Sequence, residues 1–222
     1  MPMAPVSNGQ IYYEEQSKGG HANELVILLP GLGHDHTYFA KTLPLIARVG
    51  RVVTPDPRGL GLSSPADSYS VEQWAADVLE LIAHLGAPRA HLVGSSLGAC
   101  VCMQAALDDP ARVASLTLVA GFSEVDPLLE MNFRTRLKIL DEVGLGDVMA
   151  SHVSMWTLGR TYLATAEAAR KWKNCLLRCA RIRRRVIARS FRRYCALAAA
   201  NRIRQVCPSS PRGWVRYARQ RG

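Results

Sequence analysis

Short unbroken apolar runs, each cut off by Pro or Gly, are what most limit the folds open to this chain. Leu25-Val26-Ile27-Leu28-Leu29 stops at Pro30-Gly31, Arg51-Val52-Val53-Thr54 stops at Pro55-Asp56-Pro57, and His91-Leu92-Val93 runs into Gly94. Apolar runs without polar alternation are expected of strands covered on both faces, as in a parallel sheet. Val113 to Val119 reads as a fourth such strand, and Ile11 to Glu15 as an earlier one turned at Gly19-Gly20. Helical spacing fills the intervals. Val71, Trp74, Ala75, Val78, Leu81, Ile82 and Leu85 fall on one helix face, with Ser70 placed to cap its start and Gly86 to stop it. Leu97 to Leu107 reads as a second helix, ended by Asp108-Asp109-Pro110. Strands separated by helices of this length imply an α/β fold with a mostly parallel sheet and flanking helices.

Composition narrows the class. At 222 residues, 48% hydrophobic and 21% charged, the chain is expected to be globular rather than disordered, collagen-like or coiled-coil. No apolar run reaches the roughly 18 residues of a membrane span. Met1-Pro2-Met3-Ala4-Pro5 shows neither the basic nor the apolar part of a signal peptide. Six cysteines in this length do not form a disulfide framework, so the expectation is a reduced, cytoplasmic protein. Cys175, Cys179, Cys195 and Cys207 lack paired CxxC spacing and neighbouring histidines, and no zinc site or other metal is expected.

The net charge of +10 is unevenly spread. Residues 1–169 hold all 18 acids against 11 Lys and Arg, whereas residues 170–222 hold 17 Lys and Arg and no acid. Three regions follow: a core over 1–123, a helical cap over 124–173, and an Arg-rich tail over 174–222 that does not read as a continuation of the fold. In the cap, Leu128 to Val143, Val148 to Trp156 and Tyr162 to Trp172 read as helices. In the tail, Arg181 to Tyr194 could form one.

The best chemical signal is Gly94-Ser95-Ser96-Leu97-Gly98, a G-x-S-x-G pattern that leaves an apolar strand and opens a helix. So tight a turn crowds the positions two residues either side of the central serine, which favours Gly94 and Gly98 and pushes Ser96 out at the sheet's C-terminal edge. Ser95 is the alternative nucleophile but lacks the symmetric glycines. The Gly31-Leu32-Gly33 turn after the first buried strand could aim a backbone amide at a developing oxyanion, with the Leu97 amide as second donor. Asp56-Pro57-Arg58-Gly59-Leu60-Gly61-Leu62-Ser63 reads as a packed loop that buttresses the site.

Taken in order, P-G-x-G, D-x-R-G-x-G-x-S and G-x-S-x-G resemble the α/β-hydrolase superfamily. Within it they are most similar to enol-lactonases of the 3-oxoadipate type, aminoacrylate hydrolases and esterases. The resemblance covers Ile11 to Phe122 with specific motifs and extends loosely to about Trp172. It implies Ser96 as nucleophile, Leu32 and Leu97 as the oxyanion hole, a small ester or lactone as substrate, hydrolysis through an acyl-enzyme, and no cofactor.

The resemblance also implies an acid and then a histidine after the serine. Beyond Ser96 the only histidine is His152, and the last acid is Glu167. Glu124, just past the fourth strand, is a candidate orienter. His34 and His36 read as pocket-lining or solvated, and His152 as an ordinary cap residue. The Arg-rich, Cys-rich, acid-free tail matches a frame-shifted reading of a GC-rich gene, so the last strands of the sheet are expected to be missing. Two alternatives stand beside hydrolysis: a catalytically inactive remnant, and a basic tail that binds nucleic acid or an anionic membrane. The tail's Arg-only bias and ragged amphipathic pattern weigh against the second.

Overall fold

The chain runs through β1 (Met3–Val6), β2 (Gly9–Gln16), β3 (Leu25–Leu29), a 3-10 turn (His36–Phe39), α1 (Leu43–Ile46), β4 (Arg51–Pro55) and α2 (Val71–His84). It continues through β5 (Ala90–Ser95), α3 (Leu97–Asp108), β6 (Val113–Val119), α4 (Pro127–Glu142), α5 (Asp147–Thr157), α6 (Arg160–Leu163) and β7 (Val215–Ala218). This computed structural model describes residues 1–17, 24–48, 50–123, 125–165, 167–168 and 215–218. The strands form one sheet in the order β1-β2-β4-β3-β5-β6-β7. β1 and β2, and β2 and β4, pair antiparallel. From β4 to β7 every pairing is parallel.

The continuous apolar runs have a direct cause. Leu25, Ile27 and Leu29 of β3 pack into the main core with α2 and α3, whereas Val26 and Leu28 face the opposite side with Val52, Leu43 and Ala47. Both faces are covered, so no position in β3 tolerates a polar side chain. α2 starts where the Ser70 hydroxyl accepts from the Gln73 amide at 3.1 Å, and Gly86 ends it at φ +69°. Its apolar stripe buries Trp74, Val78, Leu81 and Ile82. Removing Leu81, which is 1% exposed, down to Ala would cost about 2–5 kcal/mol.

The four predicted parallel strands and both core helices occupy the expected positions. Four elements were not expected: β1, the 3-10 turn, α1 and β7. Within the stretch expected as a helix from Tyr162 to Trp172, α6 ends at Leu163, the Thr165 hydroxyl accepts from the Ala168 amide at 3.1 Å as a helix cap does, and residues 169–172 lie outside the described residues. The Arg-rich tail was expected to stand outside the sheet. Within it, Val215–Ala218 pairs with β6 from Leu116 to Val119. Val215 and Tyr217 favour a strand, and β6 without a neighbour would present an open edge. The helix expected over Arg181 to Tyr194 lies outside the described residues.

Candidate active site

The site is built at the C-terminal ends of β3 and β5. Ser96 joins β5 to α3 with φ 52° and ψ −116°, a conformation that side-chain-bearing residues rarely adopt. The surroundings hold it there. The Ser96 amide donates to the Val119 carbonyl at 2.9 Å, and the Ser96 carbonyl accepts from the Ala99 amide at 2.9 Å. A Cβ on Gly94 would run into the Gly98 carbonyl, and one on Gly98 into the Leu29 and Pro30 carbonyls. Both glycines are therefore demanded by close backbone approach.

The loop after β3 crosses beside this turn. A Cβ on Gly31 would lie 3.5 Å from that of Ser96. Leu32 follows Gly31 directly, and Leu97 opens α3, where the first amides have no intrahelical acceptor. Neither amide has an acceptor among the described residues. The helix N-terminus adds partial positive charge on the same side.

His36 anchors the loop. Its backbone amide and its Nδ1 each lie 2.7 Å from Asp56 Oδ1, and Asp56 Oδ2 accepts from the Leu62 amide at 2.8 Å. Asp56 is fully buried. An ionised carboxylate only accepts, so Nδ1 carries the proton and Nε2 faces Glu14 Oε1 at 3.5 Å. Asp56, at the start of its own loop, thus ties the segment after β3 to the end of β4. Asp35, His36 and Asp56 bring three ligand-type atoms within 4.8 Å of one another. Asp35 Oδ1 already accepts from the Thr37 amide and hydroxyl, and the other two groups hold each other.

His34 stands next to the elbow, its Cδ2 4.0 Å from where a Gly31 Cβ would sit. Burial lowers its pKa from the ordinary value, with Asp35 pulling the other way. The imidazole is neutral at pH 7. One residue escaped the sequence reading, Tyr38. Its Oη lies 3.0 Å from Ser95 Oγ, and its ring sits 4.7 Å from that of His34. Only the pairing of an exposed tyrosine with a buried serine 57 residues away would have marked it, and no local pattern carries that.

The candidate acid and base groups are dispersed. Glu124 lies outside the described residues. Asp126 is committed to capping α4, accepting from the Leu129 amide at 2.7 Å. His152 Nε2 lies 2.9 Å from Asn132 Oδ1 in the cap; burial first and Arg136 second lower its pKa. Among the described residues no side chain hydrogen-bonds to Ser96 Oγ. A cavity of about 30 Å³ lies beneath the elbow among Leu29, Trp74, Leu97 and Val101, inside the core and sized for one water.

Residues 24–177 match the family defined by the alpha/beta hydrolase fold. The chain belongs to that family. A RutD protein of Variovorax paradoxus strain S110, named for carbamate hydrolysis, is 38% identical over 137 residues, covering 60% of this chain and 51% of its own length. The chain spans about half the length of the curated relatives it matches. A hydrolase from Pseudomonas aeruginosa PA01 superposes with TM-score 0.73 at 24% identity, over 92% of this chain and 72% of the other. The enol-lactonase of Burkholderia xenovorans LB400 superposes with TM-score 0.69 at 22% identity, over 92% and 76%. At these identities the solved structures speak for the fold alone. Hydrolase-family membership fits the strained serine between two obligatory glycines, and no helix among the described residues is long and apolar enough to cross a membrane.

Proposed function

We propose that the chain is a serine hydrolase acting on a small acyl compound, an ester, lactone or carbamate. Ser96 Oγ would attack the acyl carbon and lose its proton to a base. The carbonyl oxygen, now negative, would be held by the Leu32 and Leu97 amides. Collapse would expel the alcohol or amine leaving group with a returned proton, and water would then release the acid from Ser96. The observation that carries this reading is the Ser96 backbone, positive in φ at a strand-to-helix junction that Gly94 and Gly98 make possible. The substrate classes come from the relatives: carbamate from the name of the RutD protein, lactone from the solved enol-lactonase.

One observation favours a second reading, a chain that holds the fold and turns over little. No histidine follows His152, and no described histidine reaches Ser96 Oγ. A serine without its base keeps only the oxyanion and binding contributions, several orders of magnitude below a complete triad. The two readings part in one experiment, labelling by a fluorophosphonate together with hydrolysis of p-nitrophenyl acetate. Rapid labelling lost in Ser96→Ala supports a nucleophilic Ser96; labelling with negligible turnover supports the second reading. Labelling that survives Ser96→Ala refutes the assignment.

A further inference from the structure

We propose that Tyr38 is a positioning residue that latches the oxyanion loop to the nucleophile elbow through Ser95. The inference rests on reading the loop after β3 as the oxyanion segment beside Ser96.

Tyr38 lies in the 3-10 turn His36–Phe39 that follows the loop. Its side chain is 43% exposed, so burial alone does not fix the ring. Three contacts do. Its Oη lies 3.0 Å from Ser95 Oγ, its ring 4.7 Å from the His34 ring, and its ring 4.8 Å from Phe39 in an edge-on arrangement. Ser95 is the last residue of β5, 7% exposed, and immediately precedes Ser96. The hydrogen bond therefore ends on the rigid strand that carries the nucleophile.

Among the described residues the loop's other polar anchor to the sheet is His36, through its two bonds to Asp56 just past β4 and its contacts with Glu14 and Tyr12 of β2. Asp35 closes the turn onto Thr37 but ties it to nothing else. A segment held at one point can pivot about it; a second anchor removes that freedom. Asp56 stands on the β4 side and Ser95 on the β5 side, and Gly31 passes over Ser96 between them. The two anchors together set where the Leu32 amide points relative to the Leu97 amide. Donors that must meet an oxyanion within a few tenths of an ångström are sensitive to such tilting. Packing of the His34 ring on Tyr38 transmits the same constraint to His34, whose Cδ2 lies 4.0 Å from where a Gly31 Cβ would sit.

The test compares wild type, Tyr38→Phe, Ser95→Ala and the double variant of the full chain, by hydrogen exchange and by the rate of fluorophosphonate labelling at Ser96. Tyr38→Phe keeps the ring stacking and removes only the hydroxyl. Each single change is expected to speed exchange across residues 31–39 about tenfold, with β3 and β5 protected as before. Each is also expected to slow labelling about tenfold, the factor one net hydrogen bond supplies. The double variant should match either single, because both remove the same bond. Unchanged exchange over 31–39 in Tyr38→Phe overturns the latch, and so do effects that multiply in the double variant. Loosened exchange with unaltered labelling overturns the positioning role. If wild type is not labelled at all, the hydrolase reading falls and exchange alone still decides the latch.

Discussion

Replacing Asp56 by Asn changes one atom in a carboxylate that solvent does not reach. Oδ1 accepts from both the amide and Nδ1 of His36, and Oδ2 accepts from the Leu62 amide. An amide side chain has one acceptor oxygen and two N–H donors. If the oxygen stays toward His36, the new NH₂ faces the Leu62 N–H, donor against donor. If it turns the other way, two donors are stranded instead of one. The cheaper orientation loses one charge-assisted bond and leaves an N–H on each side without a partner. At about 1–2 kcal/mol for each unsatisfied buried group, Asp56→Asn should cost about 2–4 kcal/mol. Asp56→Ala strands all three donors and should cost more, about 5 kcal/mol. Gly61 leaves no room for compensation, since any Cβ there would run into the Asp56 carboxylate.

Urea unfolding measures these costs directly. With a slope of about 2 kcal/mol per molar, the Asn variant should move the midpoint down by about 1–2 M without changing the slope. The site should respond as well, because His36 ties the loop after β3, which passes beside Ser96, to this carboxylate; fluorophosphonate labelling of Ser96 should fall along with stability. A loss below about 0.5 kcal/mol, or an Ala variant no worse than the Asn variant, would refute Asp56 as the hub of the three bonds.

Other perturbations test neighbouring parts. Arg58 is 1% exposed and forks onto Asp77 at 2.9 and 2.5 Å while donating to the Ser7 and Asn8 carbonyls. Asp77→Ala leaves that guanidinium buried and unpaired, so unfolding should show a loss of about 3–5 kcal/mol, much of it recovered in Arg58→Met/Asp77→Leu. Thr54 Oγ1 is fully buried without a partner among the described residues, so Thr54→Val should raise stability by about 1 kcal/mol in the same assay. For His34 the folded pKa lies below the unfolded one, so below about pH 6.5 the unfolded chain takes up a proton that the folded chain refuses. Stability should therefore fall as pH drops from 6.5 toward the lowered folded value, and His34→Gln should flatten that slope in unfolding measured across pH 5–7.

What was legible in the sequence was legible because backbone and burial impose it locally. β3 reads as a strand since both its faces are covered, and the elbow reads as an elbow since Gly94 and Gly98 sit against main-chain atoms. β1 stayed hidden because four residues carrying Pro5 show no alternation, and Pro is tolerated only at such an edge. Its signal was Asn8-Gly9: Asn8 at φ +64° in the turn joining Val6 to Gly9. The anchors of the oxyanion loop had no comparable trace. His36 meets Asp56 across 20 residues and Tyr38 meets Ser95 across 57, and neither pair follows a period. Such pairs follow from sheet order, with β4, β3 and β5 side by side, and that order emerges only from the folded chain.

The same locality separates the shape of Ser96 from its reactivity. The positive φ at Ser96 costs about 1–3 kcal/mol, and what offsets it lies within residues 29–119: the bond to Val119, the start of α3, and the packing of Leu97 and Cys100 in the core. A chain spanning about half the length of its relatives can therefore present the strained turn at Ser96. Proton removal from Ser96 has no such local source, because no described residue of that stretch hydrogen-bonds its hydroxyl. Geometry at the nucleophile and transfer of its proton are thus properties of different parts of the fold. The electrophile that reads the first, a fluorophosphonate that needs one attack, and the ester that reads both over repeated cycles are expected to give different answers on this chain.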